Sequence, residues 1–360
     1  MIQPRKTIKN IKPYIPGISV REIKIWNSLS EIVKLNSNEN PFGVSKMVKE
    51  ALEKSLDSVY LYPNGPSSDL KTAISTKYVV APNQILIGNG SDELIMMVTS
   101  TFLNPGEKVL ISENTFSEYE FASRIFDGEI VKIPTKEYGY DLENFLVQLD
   151  VNVKIIFLCN PNNPTGLYFT QGELQSFLEK VPATVLVVLD EAYGDYAIAK
   201  DFPRGVSLLD QYPNLVVLKT FSKLYGLAGL RVGFAIGNKD IISEIEKTKL
   251  PFNVNAFAQV AAKASLEDID FVNKSIENNT RGICFLEKEL SSMGVDYLPT
   301  QANFICFKTR KPAAGLCDAL NKIGIIIRPL KSFGLEYWSR VTIGTDEQNK
   351  KFVAGLRTLI

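Results

Sequence analysis

Lys223 stands in the run KTFSKLYGLAGLR, residues 219–231, directly behind the apolar run NLVVL. Thr220, Ser222, Arg231 and the glycines Gly226, Gly229 and Gly233 crowd around it. A surface lysine needs no such setting, but one that must hold a reactive carbonyl compound does, because a desolvated amine is a nucleophile and a proton acceptor. Asp190 closes another apolar run, VLVVLD. An unpaired buried carboxylate is expensive, so a compensating partner is expected there. In GNGSDE, residues 88–93, a helix starting at Ser91 and Asp92 after Gly88 and Gly90 offers free backbone N–H groups and a positive dipole end to an anion. The last position is Glu93, so the motif is not GxGxxG and a dinucleotide fold is disfavoured. The chain has no histidine, which excludes histidine triads, histidine metal ligands and a histidine base. Proton transfer then falls to Lys, Tyr, Asp, Glu or a cofactor.

These groups need elements that bring them together. The runs 84–87, 108–112, 129–134, 153–160, 184–193, 214–223 and 232–237 read as strands. Several are nearly continuous in apolar residues, as strands buried on both faces of a parallel sheet are. Between them lie helical stretches such as 91–103 and 170–180, the latter opened by the capping pair Thr170 and Glu173. The alternation predicts an α/β protein with a mostly parallel sheet between helices. Ligands bind such sheets at the carboxyl ends of the strands, where GNGSDE, NPNNPTG, DEAY and TFSK all fall. After about residue 265 long polar helices precede the short strands ANFICFK, GIIIRPL and SRVTIGT, a smaller α+β unit. Residues up to about 41 show no clear period.

The 360 residues hold 40 Lys and Arg against 40 Asp and Glu, and this zero balance argues against a nucleic-acid partner. The four cysteines form no CxxC pair, so no metal site is expected and reduced thiols are. No apolar leader or membrane-length run occurs, and a cytoplasmic location is expected.

The ordered set SNENPFG, YPNG, GNGSDE, NPNNPTG, DEAY, TFSKLYGLAGLRVG and SRVTIGT resembles the pyridoxal-phosphate-dependent aminotransferases of the aspartate aminotransferase fold (transferase fold type I). PFNVN, QANF and IIIRPL make it most similar to the histidinol-phosphate aminotransferase family, from about Lys12 to the C-terminus. The resemblance implies an arm at 1–41 that joins the small domain, a large cofactor domain at 42–265 and a small domain at 266–360. It implies that Lys223 holds pyridoxal 5'-phosphate as a Schiff base. Asp190 then faces the ring nitrogen, and Tyr193 and Asn163 face its phenolic oxygen. Gly90, Ser91, Asp92, Thr220, Ser222 and Arg231 hold the phosphate, and Phe116 or Tyr119 supplies the aromatic face. In aspartate aminotransferase a histidine supports the ring-nitrogen carboxylate; this chain has none, and Tyr119 is the candidate for its place. Tyr62 resembles a tyrosine that reaches the neighbouring subunit's phosphate, implying a homodimer. Arg340 and Arg328, with Tyr14 and Asn38, would bind substrate. The implied reaction moves an amino group between histidinol phosphate and 2-oxoglutarate in histidine biosynthesis. An aromatic amino-acid aminotransferase, a phosphothreonine decarboxylase-like lyase and a regulator without catalysis are the alternatives, with no nucleic acid or membrane as partner.

Overall fold

The structure, a computed structural model, describes residues 2–11 and 32–360; Tyr14 lies outside them. A seven-stranded sheet dominates. Its order is Ile85–Gly88, Gly233–Gly237, Leu215–Thr220, Leu186–Asp190, Val153–Cys159, Lys108–Ser112, Glu129–Ile133. Gly233–Gly237 runs against both its neighbours and every other pairing is parallel. The continuous apolar runs follow from burial on both faces. Along Val153–Cys159, Ile156 and Leu158 enter one core, while Ile155, Phe157 and Cys159 enter the other. That is the two-residue period of a strand covered on each side.

Register sets the site. Cys159 is level with Asp190, and Thr220 is level with Gly233, which is level with Gly88. The polar clusters therefore leave the sheet at one edge. After Thr220 the chain must double back, and Gly226 permits it: its φ is +70°, and a Cβ there would lie 2.0 Å from the Gly43 carbonyl oxygen.

A second sheet, all antiparallel, runs Arg328–Pro329, Trp338–Thr342, Phe304–Lys308, Tyr297–Leu298. Its apolar face packs Ile305, Phe307 and Val341 against Phe352 and Leu356. The helix Ile269–Ser292 serves both bodies, giving Val272 to the large core and Leu286 and Leu290 to the small one. The expected strand GIIIRPL is in fact two. Ile325–Ile326 pairs in parallel with Val33–Lys34, and Arg328–Pro329 joins the edge of the antiparallel sheet. Pro329 lacks an N–H, so its segment fits only an edge. The pairing partner at Val33 lies in the stretch that shows no period, too short to leave one.

The helix Ser68–Tyr78 ends on Val79, which has φ 55° and ψ 48° and is 90% exposed. A β-branched residue in the left-handed region costs about 1–2 kcal/mol. Val79→Gly is expected to stabilise the protein by about 1 kcal/mol, read as a higher urea midpoint at unchanged slope.

Candidate active site

A cavity of about 1090 Å³ opens at the carboxyl edge of the large sheet and reaches the antiparallel sheet. Lys223, Asp190, Tyr193, Asn163, Phe116 and Arg340 all line it. Lys223 sits three residues past its strand, and its Nζ donates to the Ser37 carbonyl at 3.2 Å. The ammonium stands 5.6 Å from the centroid of the Tyr193 ring. Burial above all, then the Arg340 guanidinium, lowers its pKa to about 8; Glu39 and Asp92 oppose this and Arg231 adds to it. An amine so placed carries a usable fraction of free base near neutrality.

Asp190 ends its strand 2% exposed. Tyr119 donates its O–H to Oδ2 at 2.7 Å, and the Ala192 N–H donates to Oδ1 at 3.0 Å. Both partners are neutral. Burial pushes the acid up to about 6, those two bonds resist, and Asp92 and Glu191 push it further. A buried acid without a cation is what a cationic ring N–H would complete. The adjacent Glu191 is, by contrast, already paired with Lys219 at 2.9 Å.

The structure separates the two aromatic candidates. Phe116 lines the cavity, whereas Tyr119 is fully buried behind Asp190, stacked on Phe157 at 4.8 Å. Tyr119 therefore offers its hydroxyl to the carboxylate and no ring face to the cavity.

At the anion end the helix Ser91–Phe102 begins on Gly90, which has φ +85° and makes no side-chain cap. A Cβ on Gly90 would meet the Arg231 guanidinium at 2.6 Å, so the glycine makes room for that group. Arg231 Nη1 donates to Ser222 Oγ at 3.2 Å, and Nη2 donates to Asp92 Oδ2 at 2.9 Å. Thr220 Oγ1 accepts from the Ser222 N–H at 3.1 Å. Uncapped helix N–H groups, two hydroxyls and a guanidinium suit a phosphate.

At the opposite wall Arg340 Nη1 donates to Asn163 Oδ1, and Nη2 donates to the Asn36 carbonyl at 2.9 Å. With its oxygen so used, Asn163 keeps its Nδ2 as a donor. Arg328 lies directly across the strands from Arg340, and both line the cavity. Like charges in direct cross-strand register are destabilising by themselves, and an anion bound beside them would offset that.

Asn38 lines the cavity too, and its side chain is tied on both atoms: Nδ2 donates to the Tyr193 phenol at 3.0 Å and Oδ1 accepts from Thr342 at 3.1 Å. Tyr62 lies outside the cavity, 83% exposed and stacked on Phe252 at 4.7 Å. The carbonyls of Asn36 and Ser37 were not legible as site groups. Backbone acceptors carry no residue-type signal.

A lysine of lowered pKa, a buried acid and an uncapped helix start, gathered at one sheet edge, suit an enzyme that handles a phosphorylated carbonyl cofactor. The family described as aminotransferase class I and II matches residues 30–356. The chain is 42% identical over 357 residues to histidinol-phosphate aminotransferase 2 of Carboxydothermus hydrogenoformans, covering 99% of each. It is 41% identical over 357 residues to the histidinol-phosphate aminotransferase of Moorella thermoacetica, covering 99% of this chain and 92% of that one. In fold it matches the histidinol-phosphate aminotransferase from Sinorhizobium meliloti in complex with pyridoxal-5'-phosphate, with a TM-score of 0.90 at 24% identity over 100% of this chain and 99% of that one. The chain belongs to the class I and II aminotransferases and, within them, to the histidinol-phosphate aminotransferase family.

Proposed function

We infer that this chain is a pyridoxal-phosphate-dependent transaminase. It moves the amino group of L-histidinol phosphate to 2-oxoglutarate, giving imidazole-acetol phosphate and L-glutamate, a step of histidine biosynthesis. The observation that carries the substrate reading is the pair Arg328 and Arg340, in cross-strand register on the cavity wall. Two guanidiniums suit a phosphate ester, and one of them suits the glutamate carboxylate. An aromatic amino acid would leave Arg328 without an anion.

The cofactor fits the residues in place. The cradle that a Cβ on Gly90 would fill, with Ser91, Asp92, Thr220, Ser222 and Arg231, would take its phosphate. Asp190 would take its ring nitrogen, Tyr193 and Asn163 its phenolic oxygen, and Phe116 its face. When bound, pyridoxal phosphate supplies an aldehyde for Lys223 and a ring that accepts the electron pair left by deprotonation of the amino-bearing carbon. Lys223 Nζ takes that proton, which its lowered pKa allows near neutrality. Tyr119 and the Ala192 N–H hold Asp190 in line, and Arg340 fixes the substrate anion so that the proton faces Lys223.

Three finer points belong to the same reading. The chain divides at about residues 41 and 265 into arm, large domain and small domain. It acts in the cytoplasm; among the described residues no helix is long and apolar enough to cross a membrane. It works as a homodimer, and an exposed apolar strip, Leu56, Val59, Tyr60, Leu61 and Tyr62, supports this by needing cover. Tyr62 would serve the partner subunit's phosphate site, and sedimentation is expected to give twice the chain mass. The test of function is a coupled assay with 2-oxoglutarate. We expect kcat/KM for histidinol phosphate to exceed that for phenylalanine by at least about 10²-fold, and Arg328→Ala to shrink that ratio. A preference for phenylalanine overturns the substrate assignment, and carbon dioxide release without an acceptor overturns the reaction.

A further inference from the structure

Three consecutive residues each address a chemical group of the cavity. The Asn36 carbonyl accepts from Arg340, the Ser37 carbonyl accepts from Lys223, and the Asn38 amide reaches Tyr193. Asn38 is built in more firmly than a substrate contact would be. It is 1% exposed and holds φ 58°, a conformation that asparagine tolerates better than most residues. Its N–H donates to Thr342 Oγ1 at 2.9 Å, and its carbonyl accepts from Asn303 Nδ2 at 3.0 Å. The Thr342 hydroxyl, already accepting that N–H, gives its one proton to Asn38 Oδ1 at 3.1 Å. This fixes which way the amide faces, and places Nδ2 3.0 Å from the Tyr193 oxygen.

We propose that Asn38 is a positioning residue for the transamination: by donating to the Tyr193 oxygen it turns the phenol's own proton into the cavity. A phenol has one proton to give. With the Asn38 amide on its acceptor side, that proton points elsewhere, and the ring lines the cavity. Accepting a hydrogen bond also makes the hydroxyl a stronger donor. Tyr193 is then held ready for the cofactor's phenolic oxygen before anything binds. Because Thr342 belongs to the antiparallel sheet, Asn38 ties that sheet to the donor that follows the strand Leu186–Asp190 of the large one. The inference rests on the transaminase reading above and gives Asn38 a role other than substrate contact.

The test is the pH midpoint of the bound cofactor's visible absorbance. A donor to the phenolic oxygen favours its anionic form and lowers that midpoint. Arg340, Lys223, Asp190 and Cys159 also face Tyr193, and all four are unchanged in the variants. Asn38→Ala is expected to raise the midpoint by roughly half a unit or more. Asn38→Gly tolerates the same backbone, adds no charge and cannot donate, so it should raise the midpoint as far; it serves if the alanine variant folds poorly. In a Tyr193→Phe background the effect of either change should vanish. An unchanged midpoint, or an equal shift in both backgrounds, overturns the proposal and leaves Asn38 a structural tie only. Wild-type protein that shows no such absorbance fails the transaminase reading instead, so the two failures are distinct.

Discussion

Lys223→Ala is expected to lower kcat with histidinol phosphate on the order of 10⁴-fold, the upper range for loss of a positioned proton acceptor. The proposed mechanism asks two things of this residue. It would be the amine that meets the aldehyde, and its pKa is drawn down to about 8 by burial and Arg340. Lys219 cannot take over: it is buried between Glu191 at 2.9 Å and Asp195 at 2.8 Å, an ion cluster that holds its proton firmly. The variant should bind cofactor more weakly and lose the lysine-linked absorbance. It should remain folded, because it removes a desolvated cation and leaves the sheet untouched. Added small primary amines should return part of the rate if the missing function is proton transfer, whereas a misfolded site would not respond. Full turnover in the variant would remove Lys223 from the mechanism.

Much of this site could be read from residue order because parallel sheets force the reading. A strand buried on both faces is nearly all apolar, so VLVVLD and NLVVL announced themselves, and chemistry on such sheets collects where the strands end. The helix at Ser91 was legible for a different reason: glycine before an acidic first turn marks a helix start. What escaped the sequence depends on contacts between distant segments. Tyr119 and Phe116 sit three residues apart, and only the fold shows that one supports Asp190 while the other faces the cavity. Asn38 lines the cavity, as a ligand contact would, and only the fold shows that its amide also donates to Tyr193 and accepts from Thr342. The split of GIIIRPL depends on a two-residue pairing with Val33–Lys34, below the length at which any period shows.

Asp190→Asn is expected to make the cofactor-free protein more stable while it disables the enzyme. Burial raises the carboxyl from 3.8 to about 6 in the folded state. At pH below about 4 the acid is protonated in both folded and unfolded chains, and its ionisation costs nothing. As pH rises from there to about 6 the unfolded chain releases its proton first, so the folded state loses relative stability. Above that the penalty is complete at about 3 kcal/mol. Asparagine never ionises. The stability gap between variant and wild type should therefore open between about pH 4 and 6 and stay constant above, as read by urea unfolding without cofactor. On the proposed reading bound pyridoxal phosphate would reverse the order, since the carboxylate would then meet a ring N–H and the charge that strained the empty fold would keep the ring protonated. Turnover of the variant should fall on the order of 10³-fold, with cofactor affinity falling alongside it. A variant that is less stable without cofactor at pH 7.5, or as active with it, would mean that Asp190 is a structural acid satisfied by Tyr119 and Ala192 alone.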